Sequence, residues 1–174
     1  MREILFRGKR LDNGEWVDGN FYESGISGAY ILQNVTRKTM DARTGKITMR
    51  DDPAAFEIRL STVGQYTGLH DATKWENLPE KEQQEFLRNH KKEDWNGKRI
   101  FEGDILESHY GDEFPDDTTI EVIEWFNNGW CAHDVEHMTY EAYGLYQDNV
   151  LSLSEVIGNI HDNPELLKIY RGVT

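Results

Sequence analysis

Residues 96–106, NGKRIFEGDIL, open on a turn-forming Asn96-Gly97 pair, continue through strand formers and break at Glu102-Gly103-Asp104 before the strand resumes. A glycine inside a strand marks a bulge or a corner. The expectation here is a kink where a small curved sheet changes direction, with Asp104 on the turn side or an edge. On the C-terminal side, strands are expected at about 100–109, 118–126, 129–134 and 150–159, with Asn127-Asn128-Gly129 turning the middle pair. The tail HDNPELLKIY reads as a short closing helix with Asn163 as cap and Pro164 in its first turn.

Upstream, EILFRGKRLDNGEWVDGNFY holds two strand-like runs joined at Asp12-Asn13-Gly14, which predicts a first hairpin. GAYILQ (28–33), KITMR (46–50) and FEIRL (56–60) extend the sheet, with Phe56, Ile58 and Leu60 on one face by alternation. Between the first two lies NVTRKTMDARTGK, expected as a long exposed loop or hairpin tip. From 34 to 50 the chain sets Arg37, Lys38, Arg43, Lys46 and Arg50 against Asp41, a basic set suited to phosphate contact. Residues 77–95 predict one surface helix of about three turns, anchored by Trp75, Leu78, Phe86 and Leu87.

The 174-residue chain therefore divides into an N-terminal β meander with its connecting segment (1–71), a surface helical insertion (72–96) and an acidic, mainly β C-terminal part (97–174). Charge follows this division. The net −13 is made of zero over 1–71, −1 over 72–96 and −12 over 97–174, where sixteen acids face only Lys98, Arg99, Lys168 and Arg171. Such a surface repels nucleic acid and anionic membrane. One cysteine, Cys131, excludes an internal disulfide and a multi-thiolate metal site. With no apolar run at the N-terminus, a cytoplasmic home is expected.

Local motifs for chemistry are thin. Cys131 and His133 share a strand face, but Asp134 points to the other, so the thiol is expected to be structural. His133 and His137 have helical metal spacing in a region that reads as strand and turn. The acids of GDEFPDD (111–117) lack the alternating spacing of a calcium loop. The chain has no phosphate loop, dinucleotide fingerprint or nucleophile elbow, so no catalytic residue, metal or cofactor is assigned. The aromatic set of the C-terminal part, Tyr110, Trp125, Phe126, Trp130, Tyr140, Tyr143 and Tyr146, is too large for a small core to hide and is the candidate binding surface.

Four blocks, MREILFRGKRLDNGEWVDGNF, TVGQYTGLHD, NGKRIFEGDIL and EVIGNIHDNPELL, in this order resemble the YopX family of phage and prophage proteins. In that family's pattern TGLHD runs almost directly into NGK, whereas here residues 72–95 intervene. The resemblance implies an all-β core whose C-terminal part is a Src-homology-3-like small barrel, and it carries no assigned activity or site residues. The expected role is a non-enzymatic phage or prophage accessory protein that binds a host or phage protein, or a second copy of itself. The alternatives are an acidic DNA mimic that occupies a host DNA-binding protein, and a metal-dependent hydrolase.

Overall fold

The computed structural model describes residues 4–109, 118–135, 143–144 and 153–169. It is mostly antiparallel β and divides into two compact units, Met1–Gln65 and Tyr66–Thr174. Among the described residues no helix is long and apolar enough to cross a membrane.

The first unit is a meander of β1 (Phe6–Lys9), β2 (Trp16–Ser24), β3 (Gly28–Met40) and β4 (Ile47–Ile58), with Gly64-Gln65, the start of β5 (Gly64–His70), against β1. Alternation puts Val17, Ala29, Ile31 and Ile58 on one face, where Phe6, Phe21, Phe56 and Val63 close the core. The predicted first hairpin is present, with Gly14 at φ +73° and the Arg10 N–H bonded to Glu15 O at 2.9 Å. Beyond the hairpin turn, Leu11 N–H donates to Glu57 O and Arg59 N–H to Lys9 O, so the end of β4 curls back to the end of β1.

Residues 34–46 are not a long loop. β3 runs to Met40 and pairs with β4 in unbroken register from Ala29↔Ile58 to Met40↔Ile47, leaving only a tight turn. Asp41 makes that turn: its Oδ1 accepts the N–H groups of Arg43 and Thr44 at 2.8 and 3.0 Å, which holds its carboxyl below the usual aspartate range. KITMR and FEIRL are likewise one strand through Pro53. β4 is the edge of the sheet, and Glu57, four residues on and so of the same parity, turns its C=O away from β3 toward Leu11 N–H, so the N–H missing at Pro53 belongs to the open side and breaks no ladder bond.

In the second unit Tyr66–His70 of β5 pairs with β6 (Arg99–Phe101). A second sheet has the order β10-β9-β8-β7-β11, built from β7 (Asp104–His109), β8 (Thr118–Phe126), β9 (Gly129–Asp134), β10 (Tyr143–Gly144) and β11 (Ser154–Asn159). The expected middle turn is there, with Asn127 and Asn128 at φ +46° and +72°. The expected small barrel is not: among the described residues the sheet is open, with β10 and β11 at opposite edges. Both of its faces are apolar and each is covered without rolling the sheet up. Leu106, Ile123, Trp130 and Ala132 pack with Ile100 of β6 and Leu69 of β5, while Ile105 and Ile120 pack with Leu166 and Leu167 of α2 (Leu166–Ile169).

Gly103 is a corner. At φ +79° it turns the chain between β6 and β7, giving its N–H to Ile123 O and accepting from Ile160 N–H. Asp104 is buried rather than at an edge, and its Oδ2 accepts the Phe101 N–H at 2.7 Å across the turn. The inserted helix is shorter than expected: α1 (Glu80–Phe86) has seven residues. Phe86 is drawn into a cluster with Trp75 and Trp95, ring centroids 5.7 and 5.1 Å away, and Leu78 is buried, but Leu87 is exposed.

Candidate functional site

β2 accompanies β3 only as far as the Asn20↔Leu32 pair, whereas β3 and β4 continue together through eight more, Gln33↔Ala54 to Met40↔Ile47. At about 3.3 Å per residue this is a two-stranded ribbon roughly 25 Å long. Cross-strand partners share a face, so Lys38, Met40, Ile47 and Met49 lie together on one side, while Arg37 stands opposite Arg50 on the other, beside Thr39 and Thr48. Met40, Ile47 and Met49 are 69%, 62% and 67% exposed. Arg50 is bridged to Asp52 at 2.9 Å. The five basic side chains singled out from sequence thus belong to one projecting element, with Arg43 in its turn and Lys46 beside it. Their apolar company was missed. The alternation of Met40 with Lys38, and of Ile47 with Met49, could have revealed it.

The aromatic set is not seen as one surface. Tyr110, Tyr140 and Tyr146 lie outside the described residues, and Tyr143 is described only as part of β10. Trp125 is 53% exposed and meets Trp130 edge-on at 5.0 Å, whereas Trp130 is 2% exposed and belongs to the core. Phe126 is half-buried on the other face. Trp125, at the end of the β8–β9 hairpin, is the member of the set that is seen exposed.

Cys131 and His133 do share a face, and Glu124 Oε1 sits 3.1 Å from His133 Nδ1. The electrostatics oppose a nucleophile. Burial pushes the Cys131 thiol up, and Glu124 pushes it further, so the thiolate is disfavoured. His137 and the 111–117 acids lie outside the described residues. Among the described residues no three or more His, Cys, Asp and Glu side chains gather as a metal ion would require.

One polar chain resembles catalytic wiring: Ser108 Oγ donates to Glu121 Oε2 at 2.7 Å and meets Ser154 Oγ at 2.7 Å. It crosses β8, β7 and β11 inside the sheet, and all three residues are buried, so no substrate reaches it. Burial raises the Glu121 carboxyl above the usual glutamate range; the Ser108 hydrogen bond opposes this and Asp134 adds to it. A raised folded pKa means that the native state binds more protons than the unfolded one between the two values. The contribution of Glu121 is therefore complete below its unfolded pKa and lost as pH rises through the folded one. Glu121→Gln keeps an acceptor for Ser108 and removes the charge. Urea unfolding followed from about pH 4 to pH 8 is expected to show the variant matching the wild type at the acid end and exceeding it at the basic end.

Residues 91–168 match the family model described as YopX protein, a stretch that begins ahead of β6 and reaches into α2. The N-terminal blocks that prompted the resemblance lie outside the matched residues. Among curated proteins none matches this chain. The crystal structure of protein EF1440 from Enterococcus faecalis is similar over 96% of this chain and 99% of that one, with a TM-score of 0.52 and 20% sequence identity. It shares the fold across both units.

Proposed function

We propose, for a chain that belongs to the YopX family through residues 91–168, a non-enzymatic protein-binding role, of the phage or prophage accessory kind, exercised through the β3–β4 ribbon. One observation carries this reading: three large apolar side chains stand exposed together on an element that, among the described residues, no third strand supports beyond Leu32. A two-stranded ribbon alone in water is marginally stable, and clustered exposed apolar groups on it gain by being covered. Exposed Trp125 supplies a second contact of the type that anchors protein interfaces.

The test is a photoreactive amino acid placed at Met49, at Trp125, or at fully exposed Ile26 in the β2–β3 turn as control. In lysate of a bacterial host, illumination is expected to give discrete protein adducts from position 49, fewer from 125 and none from 26. Equal, diffuse labelling from all three positions would reject a binding role for the ribbon.

A further inference from the structure

β2 leaves β3 after the Asn20↔Leu32 pair and continues against β1 from Gly19↔Phe6, and Gln33 Nε2 donates to Asp18 O at 3.2 Å across the split. The gap is thus held open by bonding of its own. Glu57 turns its C=O away from β3, so in its pair with Tyr30, and in every second pair from there to the tip, the backbone groups of both strands face outward. On β3 these residues are Asn34, Thr36, Lys38 and Met40. Among the described residues no strand pairs with them on that side.

The two edges of the ribbon differ. On β4, Leu11 N–H takes the Glu57 carbonyl, Pro53 has no N–H to offer, and Asp51 and Asp52 stand beside it. That edge is guarded. From Asn34 to Met40, β3 has neither proline nor acid, and it exposes Lys38 on the face of Met40, Ile47 and Met49 and Arg37 on the other. Where this stretch begins, Asn20, Leu32, Asn34, Pro53 and Ala55 line a depression of about 280 Å³, small for a cofactor and ample for one side chain.

We infer that the ribbon takes its protein partner by strand addition: an extended acidic segment of the partner pairs with the open edge of β3. The inference rests on the ribbon being a protein-binding element and names the chemistry of its occupant. The segment continues the line that β2 leaves, so it runs antiparallel to β3 as β2 does. Two adjacent carboxylates then fall on opposite faces, one across from Lys38 and the next across from Arg37. The residues across from Met40 and Asn34 share the Lys38 face and are apolar, the first against Met40 and the second over the depression. Read from its N-terminus, the segment is apolar-x-acid-acid-x-x-apolar. A second β3 edge brings the same cations and no acid, and is not this occupant. Nucleic acid offers phosphate oxygens to the N–H groups but no row of donors for the outward C=O groups, which a strand supplies in alternation.

The probe is an end-blocked, fluorescent Val-Thr-Glu-Glu-Thr-Thr-Leu peptide, its binding to the purified full chain read by anisotropy. Glutamine at both acidic positions is expected to weaken binding at least about tenfold. Arg37→Glu/Lys38→Glu, altered only at exposed positions, is expected to lose the acidic peptide to the same extent. It is expected to bind Val-Thr-Lys-Lys-Thr-Thr-Leu in its place, which also shows that the variant is folded. The ladder is read separately from the charge. N-methylation of the third and fifth peptide residues, whose N–H groups point at Lys38 and Thr36, is expected to abolish binding. N-methylation of the fourth and sixth, whose N–H groups point away, is expected to leave most of it.

A wild type that does not bind the acidic peptide saturably, or equal losses from the two N-methylated forms, overturns the inference. Binding of a duplex DNA oligonucleotide and not of the peptide overturns it as well. If it falls in any of these ways while position 49 still crosslinks a protein in lysate, strand addition is wrong and the protein-binding reading stands.

Discussion

Gly97→Ala is expected to remove about 4 kcal/mol or more of stability from the second unit, seen as a fall in its urea midpoint by tryptophan fluorescence. Two costs combine. Gly97 sits at φ +103°, a backbone conformation that side chains rarely adopt, and a Cβ built there would lie 2.0 Å from the backbone oxygen of Asp71. Backbone cannot rotate away as a side-chain tip can. It is also held, because Asp71 N–H donates to Lys98 O at 2.9 Å. Gly45→Ala separates the two costs. Gly45 is at φ +67° with open space around it, so its replacement is expected to cost only about 1–2 kcal/mol. Equal losses at the two positions would mean that the close approach of Asp71 contributes nothing.

Asp71→Ala is expected to cost a similar amount, about 4 kcal/mol, for a different reason. The Asp71 carboxylate is 5% exposed and accepts four hydrogen bonds: Oδ1 from Thr73 N–H at 3.0 Å and Lys98 N–H at 2.7 Å, Oδ2 from Thr73 Oγ–H at 2.7 Å and Val156 N–H at 2.8 Å. Alanine removes all four acceptor contacts at once and leaves three backbone donors without a replacement, each worth about 1–3 kcal/mol when buried. Asp71→Asn keeps one oxygen but turns an amide N–H₂ toward the remaining donors, so it is expected to fall between alanine and the wild type. An asparagine variant as stable as the wild type would show that the negative charge and the second acceptor are dispensable.

These two residues also show where sequence reading reaches its limit. Asp71 reads as an ordinary turn neighbour of His70, because the donors that define it lie 27 and 85 residues away in the chain. No local pattern encodes that. The hairpin turned by Asn127 and Asn128 was legible, since both residues tolerate the positive φ that the turn demands. Residues 34–46 misled because exposed polar composition suggests a loop, yet the ladder to β4 satisfies their backbone without any need for burial. The five basic residues of the candidate site were therefore found by charge, and the projecting geometry that gathers them was not. The barrel expectation failed on a similar point. Alternation reveals that a strand has two apolar faces, but not that α2 covers one and β5 with β6 the other.

The Asp71 carboxylate has a consequence for how the chain is made. Its last donor, Val156, is synthesised 85 residues later, which at about 5–20 residues per second is roughly 4 to 17 s on the ribosome. During that interval the carboxylate must stay hydrated, and the edge strand β11 that completes the second unit has yet to emerge. Release of a nascent chain ended ahead of Val156 is expected to yield an aggregation-prone product, and a chaperone that shields the emerging strands has its window there.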